Sequence, residues 1–90
     1  MIHAEIRIYG RVQGVGFRFF TTKKANLYQV KGWVKNMGDG SVKCIAEGEK
    51  SKVQDFIQEL KKGPVSANVR DVEVNKSDEL DNYKSFEVRY

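Results

Sequence analysis

Hydrophobic and polar residues alternate along several short stretches of the chain, which is the pattern of half-buried β-strands. The first stretch is residues 4–12, where one face holds Ala4, Ile6, Ile8, Gly10 and Val12 and the other holds Glu5, Arg7, Tyr9 and Arg11. Gly32–Asn36 and Ser41–Glu47 predict a hairpin, because the turn Met37-Gly38-Asp39-Gly40 between them is rich in residues that tolerate positive φ. Residues 69–75 and 86–90 predict two further strands.

In two other segments the apolar residues recur at helical spacing. In Lys50–Lys62 the apolar residues Val53, Phe56, Ile57 and Leu60 fall at i, i+3, i+4 and i+7, and Gly63-Pro64 follows as a stop signal. The pattern is weaker over residues 17–30, where Phe17, Thr21, Ala25 and Tyr28 share a face that Lys24 also approaches. We therefore predict two helices, the first with uncertain bounds.

The predicted order β-α-β-β-α-β-β is typical of an α+β, ferredoxin-like two-layer sandwich: a βαββαβ unit plus a fifth C-terminal strand. The sheet is expected to be mostly antiparallel, with both helices on one face. Right-handed crossovers place the third strand between the first and the second. The loop after strand one and the end of strand two then open at the same sheet edge, ~10 Å apart.

Composition narrows the function classes. The 90 residues suit one domain, expected to span residues 1–90, and the formal charge of +4 favours anionic partners. Charges of both signs are interleaved, without the basic run of a nucleic-acid arm, and no apolar stretch approaches the ~20 residues of a membrane span. The N-terminus lacks the apolar run of a signal peptide, so a cytoplasmic protein without nucleic-acid or membrane partners is expected. A monomer is the default for this size.

Two residues with reactive side chains are interpreted structurally. Cys44 is the only cysteine and alternates with Val42 and Ala46, so we predict a buried core thiol rather than a nucleophile. His3, at the start of the first strand, is interpreted as a surface or edge residue.

The loop Gln13-Gly14-Val15-Gly16-Phe17-Arg18 can be interpreted in two ways. Glycines between a strand and a helix are common in plain turns. They also let successive N–H groups converge on one anion, to which a helix N-terminus and the planar fork of Arg18 would add donors. The Gly-Lys-Ser/Thr ending of the nucleotide P-loop is missing, and no acidic pair is placed to hold magnesium. The sequence thus favours a metal-free phosphate site, without a cofactor, over a nucleotide site.

Asn36 also leaves two interpretations open. Just before the Met37–Gly40 turn, it can simply assist that turn. Its amide, which both donates and accepts hydrogen bonds, equally suits holding a water molecule in line with phosphorus.

Residues 8–18, Ile-Tyr-Gly-Arg-Val-Gln-Gly-Val-Gly-Phe-Arg, resemble the first signature of the acylphosphatases. The second signature is similar to Gly32-Trp33-Val34-Lys35-Asn36 with the following Gly40-Ser41-Val42 and Gly48. Both match in order and spacing, and the resemblance extends over essentially the whole chain. Two departures stand out: Gln29 where a glycine is common, and Thr21 where an aliphatic residue is usual.

This resemblance implies the sandwich described above and hydrolysis of the carboxyl-phosphate bond of a small-molecule acyl phosphate, giving a carboxylate and inorganic phosphate. It implies that the phosphate-binding arginine is Arg18, that the water-orienting asparagine is Asn36, and that the phosphate cradle comprises Gln13, Gly14, Val15, Gly16, Phe17 and Arg18.

Two other function classes compete with this hypothesis. Gly14–Phe20 superficially resembles the RNA-binding signature of RRM domains, which stack bases on aromatics of strands one and three. Here the predicted third strand carries no aromatic residue. The other alternative is a non-catalytic regulatory domain of the same fold, which would bind phosphate without turnover; the joint presence of Arg18 and Asn36 argues against it. Similar domains occur inside larger carbamoyl-transfer proteins, and a free-standing domain is expected here.

Overall fold

The predicted element order is present in the computed structural model, which describes all of residues 1–90. The elements are β1 (Ile2–Arg11), α1 (Phe17–Leu27), β2 (Lys31–Asn36), β3 (Val42–Gly48), α2 (Lys50–Lys62), β4 (Asn68–Ser77) and β5 (Phe86–Arg89). The strands form one sheet in the order β4-β1-β3-β2-β5. Neighbouring strands are antiparallel except β2 and β5, which are parallel. The ferredoxin-like sandwich and its fifth strand are therefore confirmed, with β3 between β1 and β2 as predicted.

The core lies between the sheet and the two helices, and the period-two pattern identified its strand side correctly. Ala4, Ile6 and Ile8 are fully buried on β1, and Cys44 is fully buried on β3. Helix α2 contributes the side chains predicted from its apolar face, Val53, Phe56, Ile57 and Leu60. Burial raises the pKa of the Cys44 thiol far above its ordinary value, so the prediction of an inert core cysteine is confirmed.

Helix α1 ends three residues earlier than predicted, at Leu27 instead of Val30. Gln29 adopts a left-handed backbone conformation with φ of 58°. The N–H of Val30 then donates to the carbonyl of Ala25 at 2.8 Å, and the N–H of Gln29 donates to that of Asn26 at 3.4 Å. This is a Schellman motif, which closes the helix and turns the chain into β2.

His3 was wrongly predicted as a surface or edge residue. It lies in β1, which is paired on both sides, opposite Glu47 of β3 and Ser77 of β4. Its side chain is only 16% exposed, and Nδ1 lies 2.7 Å from the Glu47 carboxylate. Glu47 in turn accepts hydrogen bonds from the backbone N–H groups of Asp81, Asn82 and Tyr83. Non-local pairing has therefore placed this residue on an inner strand, where it is half-buried.

Candidate active site

The loop between β1 and α1 is shaped by two glycines in left-handed conformations. Gly14 has φ of 74°, and Gly16, the N-cap of α1, has φ of 76° and ψ of 21°. A Cβ at either position would meet nothing within 4 Å, so the backbone conformation rather than crowding requires glycine. The open space beside the loop also lets a ligand approach the backbone closely.

The N–H groups at the start of α1 are free to bind an anion. No side chain caps the helix, and outside the helices and strands no backbone hydrogen bond is donated by residues 14–19. Unpaired N–H groups at a helix N-terminus carry positive partial charge and bind phosphate or carboxylate oxygens. Phe17 is buried and anchors this end of the helix, with its ring 5.9 Å from that of Phe20.

A cleft of about 400 Å³ joins this loop to the end of β2. Its walls include Gly14, Gly16, Phe17, Arg18 and Asn36, and the remaining lining residues are Val12, Phe19, Thr22, Val88 and Tyr90. The sandwich topology thus brings Arg18 and Asn36 to one cavity, as the strand order predicted. Two members of the predicted cradle, Gln13 and Val15, do not line it; Val15 packs against the core instead.

Arg18 has no acidic partner inside the protein. Its guanidinium takes part in none of the salt bridges, and its carbon atom lies 4.9 Å from the centroid of the Tyr90 ring. The aromatic face stabilises the positive charge without occupying the N–H donors of the guanidinium, so these remain available to an anion in the cleft.

Asn36 does not support the turn that follows it. The turn is closed by hydrogen bonds from the Met37 N–H to the Ser41 carbonyl at 2.8 Å and from the Gly40 N–H to the Met37 carbonyl at 3.2 Å. Asp39 accepts further hydrogen bonds from the N–H and the hydroxyl of Ser41. Because the turn is complete without the Asn36 amide, the interpretation of Asn36 as a turn residue loses its support.

Gln13 ties the hairpin to the loop, and Arg7 ties its turn to β1. The Gln13 amide donates to the carbonyls of Met37 and Ser41, both at 2.8 Å. Arg7 donates to the Ser41 hydroxyl at 2.6 Å and to Asp39 at 3.0 Å. The hydrogen bonds from Ser41, assisted by Arg7, lower the pKa of Asp39. This carboxylate therefore stays ionised to a lower pH than an ordinary aspartate. Gln13 therefore fixes the loop to the end of β2 and with it the relative positions of Arg18 and Asn36.

The whole chain matches known proteins closely. The family model described as Acylphosphatase matches residues 4–88. The chain belongs to the acylphosphatase family. An acylphosphatase of Archaeoglobus fulgidus is 50% identical over 90 residues, covering 100% of both chains. An acylphosphatase of Oceanobacillus iheyensis is 44% identical over 91 residues, again with 100% of both chains covered.

A solved structure gives the same result for the fold. The crystal structure of acylphosphatase from Bacillus subtilis superposes with a TM-score of 0.98 at 39% identity, with 100% of both chains covered. The chain is accordingly an acylphosphatase-type hydrolase, and the acylphosphatase family implies a small-molecule acyl phosphate as substrate.

Metal ligands are not gathered at the cleft, whose lining holds neither a carboxylate side chain nor an imidazole. Ligand atoms of His3, Glu47 and Asp81 do converge within 4.8 Å of one another, at the far end of β1. There the Glu47 oxygens already accept His3 and three backbone N–H groups. We interpret that cluster as a structural hydrogen-bond network.

Sequence reasoning missed the aromatic side of the cleft. Phe19, Val88 and Tyr90 line this side of the cleft, but all three lie outside the two signature segments that contain Arg18 and Asn36. Only Phe19 adjoins one of these segments, directly after Arg18. The available signal was Phe19 itself, an aromatic residue that lies off the core-facing stripe of a surface helix.

Neither of the two helices has the length and apolar character that crossing a bilayer requires.

Proposed function

We propose that the cleft binds the phosphoryl group of an acyl phosphate through the N–H groups of residues 14–18 and the Arg18 guanidinium, and that Asn36 directs the attacking water. The observation that carries this proposal is one cavity containing both a guanidinium without an acidic partner and an asparagine amide not used by its own turn. In this assignment Gly14, Val15, Gly16, Phe17 and Arg18 supply donors, and Gln13 keeps the loop in register with β2.

The chemistry is an in-line displacement at phosphorus. The water oxygen forms a bond to phosphorus while the bond from phosphorus to the acyl oxygen breaks, and the carboxylate leaves with the electron pair. A carboxylate is a good leaving group, so little acid catalysis is required. Charge on the equatorial phosphoryl oxygens is stabilised by Arg18 and the loop N–H groups, which are positioned before the reaction begins.

A proton acceptor for the water is proposed on the substrate. The cleft lining contains no carboxylate or histidine side chain that could act as a general base. A phosphoryl oxygen of the substrate therefore takes the proton, and the products are a carboxylate and protonated inorganic phosphate. The same lining supports metal-independent hydrolysis, because Mg²⁺ is normally held through carboxylate oxygens.

We further propose that residues 1–90 act as a single monomeric domain in the cytoplasm, without nucleic-acid partners. The supporting observations are the one buried, unpaired Cys44, which needs no oxidising compartment, and a surface of mixed charge. The large apolar side chains that are exposed are Met1, Phe19, Leu27, Val65 and Tyr90, of which two line the cleft.

The proposed function is tested by measuring hydrolysis of benzoyl phosphate by the purified protein, with and without EDTA. Wild-type turnover is expected to be insensitive to EDTA. Arg18→Ala should lower kcat/KM by ~10²–10³ and weaken competitive inhibition by inorganic phosphate, because it removes a positioned donor to the transition state. Lys23→Ala is the matched control, since Lys23 is an exposed cation of the same helix outside the cleft. A protein that binds phosphate but has no turnover would instead be a regulatory domain.

A further inference from the structure

Phe19 is exposed in a position where its aromatic ring has no structural role. The residue is 75% exposed and belongs neither to the core nor to the side chains packed against it. Neighbouring Phe17 and Phe20 differ, because they pack on each other at 5.9 Å and contribute to the core. An isolated exposed apolar residue needs no explanation, but Phe19 is not isolated.

Phe19 and Tyr90 line the same cleft. Tyr90 is 91% exposed, and its ring carries the Arg18 guanidinium on one face. Val88 adds an aliphatic wall and Thr22 lies one helical turn beyond Phe19. The cleft is therefore bipartite: N–H donors and Arg18 lie at the loop, and aromatic side chains lie at its mouth.

The size of the cleft leaves space beyond a phosphoryl group. A phosphoryl group has only four heavy atoms and fills only part of a cleft of about 400 Å³. The rest of the substrate is its acyl group. In an in-line attack the acyl oxygen lies on the side of phosphorus opposite the water, and therefore away from Asn36 on β2. Phe19 comes from α1, a different wall of the cleft.

We infer that Phe19, together with Tyr90, forms an acyl subsite that makes this enzyme prefer acyl phosphates with a large apolar acyl group, such as an aromatic ring, over acetyl phosphate. This inference rests on the proposed phosphoryl position. An apolar acyl group covers the Phe19 ring and removes apolar surface of both partners from water, whereas a single methyl group is too small to do so.

The test compares benzoyl phosphate with acetyl phosphate as substrates of the wild type, Phe19→Ala, Phe19→Leu and Leu27→Ala. The quantity is the ratio of the two kcat/KM values, and the intrinsic reactivities of the two compounds cancel when this ratio is compared between variants. Phe19→Ala should lower the benzoyl-to-acetyl ratio by about tenfold, mainly through KM for benzoyl phosphate. Phe19→Leu should retain most of the ratio because it keeps apolar area. Leu27, exposed on the same helix but outside the cleft, should not change it.

Inorganic phosphate as a competitive inhibitor reports separately on the phosphoryl position. An unchanged ratio in Phe19→Ala, or an equal loss for both substrates, overturns the acyl subsite while the proposed hydrolysis stands. A wild type that hydrolyses neither compound overturns the proposed function and the subsite with it.

Discussion

The guanidinium carbon of Arg18 lies 4.9 Å from the centroid of the Tyr90 ring. The two residues are far apart in the sequence: Arg18 lies in the first turn of α1, and Tyr90 follows β5, which pairs in parallel with β2. Since Arg18 forms no salt bridge, this ring is the contact that restricts where its charge can lie. We therefore expect Tyr90 to act as a positioning residue for the proposed phosphate site.

Replacing Tyr90 tests that role. An exposed cation–π contact is worth about 0.5–1 kcal/mol, so Tyr90→Ala should weaken inhibition by inorganic phosphate and lower kcat/KM by about two- to fivefold. Tyr90→Phe keeps the aromatic face and should match the wild type in the phosphate inhibition constant. Unchanged phosphate inhibition in Tyr90→Ala would show that Arg18 is positioned without the ring.

Asn36→Ala should separate binding from turnover. The phosphate inhibition constant is expected to stay within about twofold of the wild type, because Arg18 and the loop are intact, whereas kcat falls by ~10²–10³ when the water loses its orientation. Asn75→Ala, at an exposed asparagine of β4, is the control. If Asn36→Ala kept more than about a tenth of the wild-type rate, the water-positioning role would be wrong.

Glu47 should contribute stability that depends on pH. Burial by itself raises its pKa, but the hydrogen bonds from His3 and from the backbone of Asp81, Tyr83 and Asn82 outweigh burial and lower it. Because the folded-state pKa of Glu47 lies below the unfolded value of ~4.3, the contribution is complete above the unfolded pKa. It is lost as the pH falls through the folded pKa.

The measurement is the free energy of unfolding in urea between pH 3 and pH 7. Glu47→Gln should be less stable than the wild type by about 2 kcal/mol or more at pH 7, because backbone donors lose a charged acceptor, and the gap should narrow toward pH 3. The exposed neighbour Glu49 provides the control Glu49→Gln. A gap of the same size at both pH values would contradict the linkage.

Gln29→Gly should stabilise the protein. Gln29 holds φ of 58° at the C-terminal end of α1, a conformation that costs a residue with a Cβ about 1–2 kcal/mol. After allowing for the greater chain entropy of glycine and the lost contact with Lys52, we expect a gain of about 0.5–1 kcal/mol in urea unfolding. Gln58→Gly, inside α2, should destabilise by about 1 kcal/mol. A loss of stability in Gln29→Gly would mean that the Lys52 contact outweighs the backbone cost.

The sequence by itself determined the element order, the core faces and the two residues proposed to carry the chemistry. Strand alternation around Ile6 and helical spacing around Phe56 report burial directly, because the side-chain period of each element is fixed by its backbone geometry. Arg18 and Asn36 were identified because they sit in local motifs, a glycine loop before a helix and a signature at the end of a strand.

Only the tertiary structure decided the contacts between residues that are far apart in the chain. Gln13 acts on the hairpin carbonyls, Glu47 holds residues 81–83, and Tyr90 contacts Arg18 across more than seventy positions. No local period encodes such contacts, since they depend on which strands the sheet places side by side. The same reason explains His3, which lies near the N-terminus but on an inner strand, and the aromatic wall of the cleft, whose members belong to different elements.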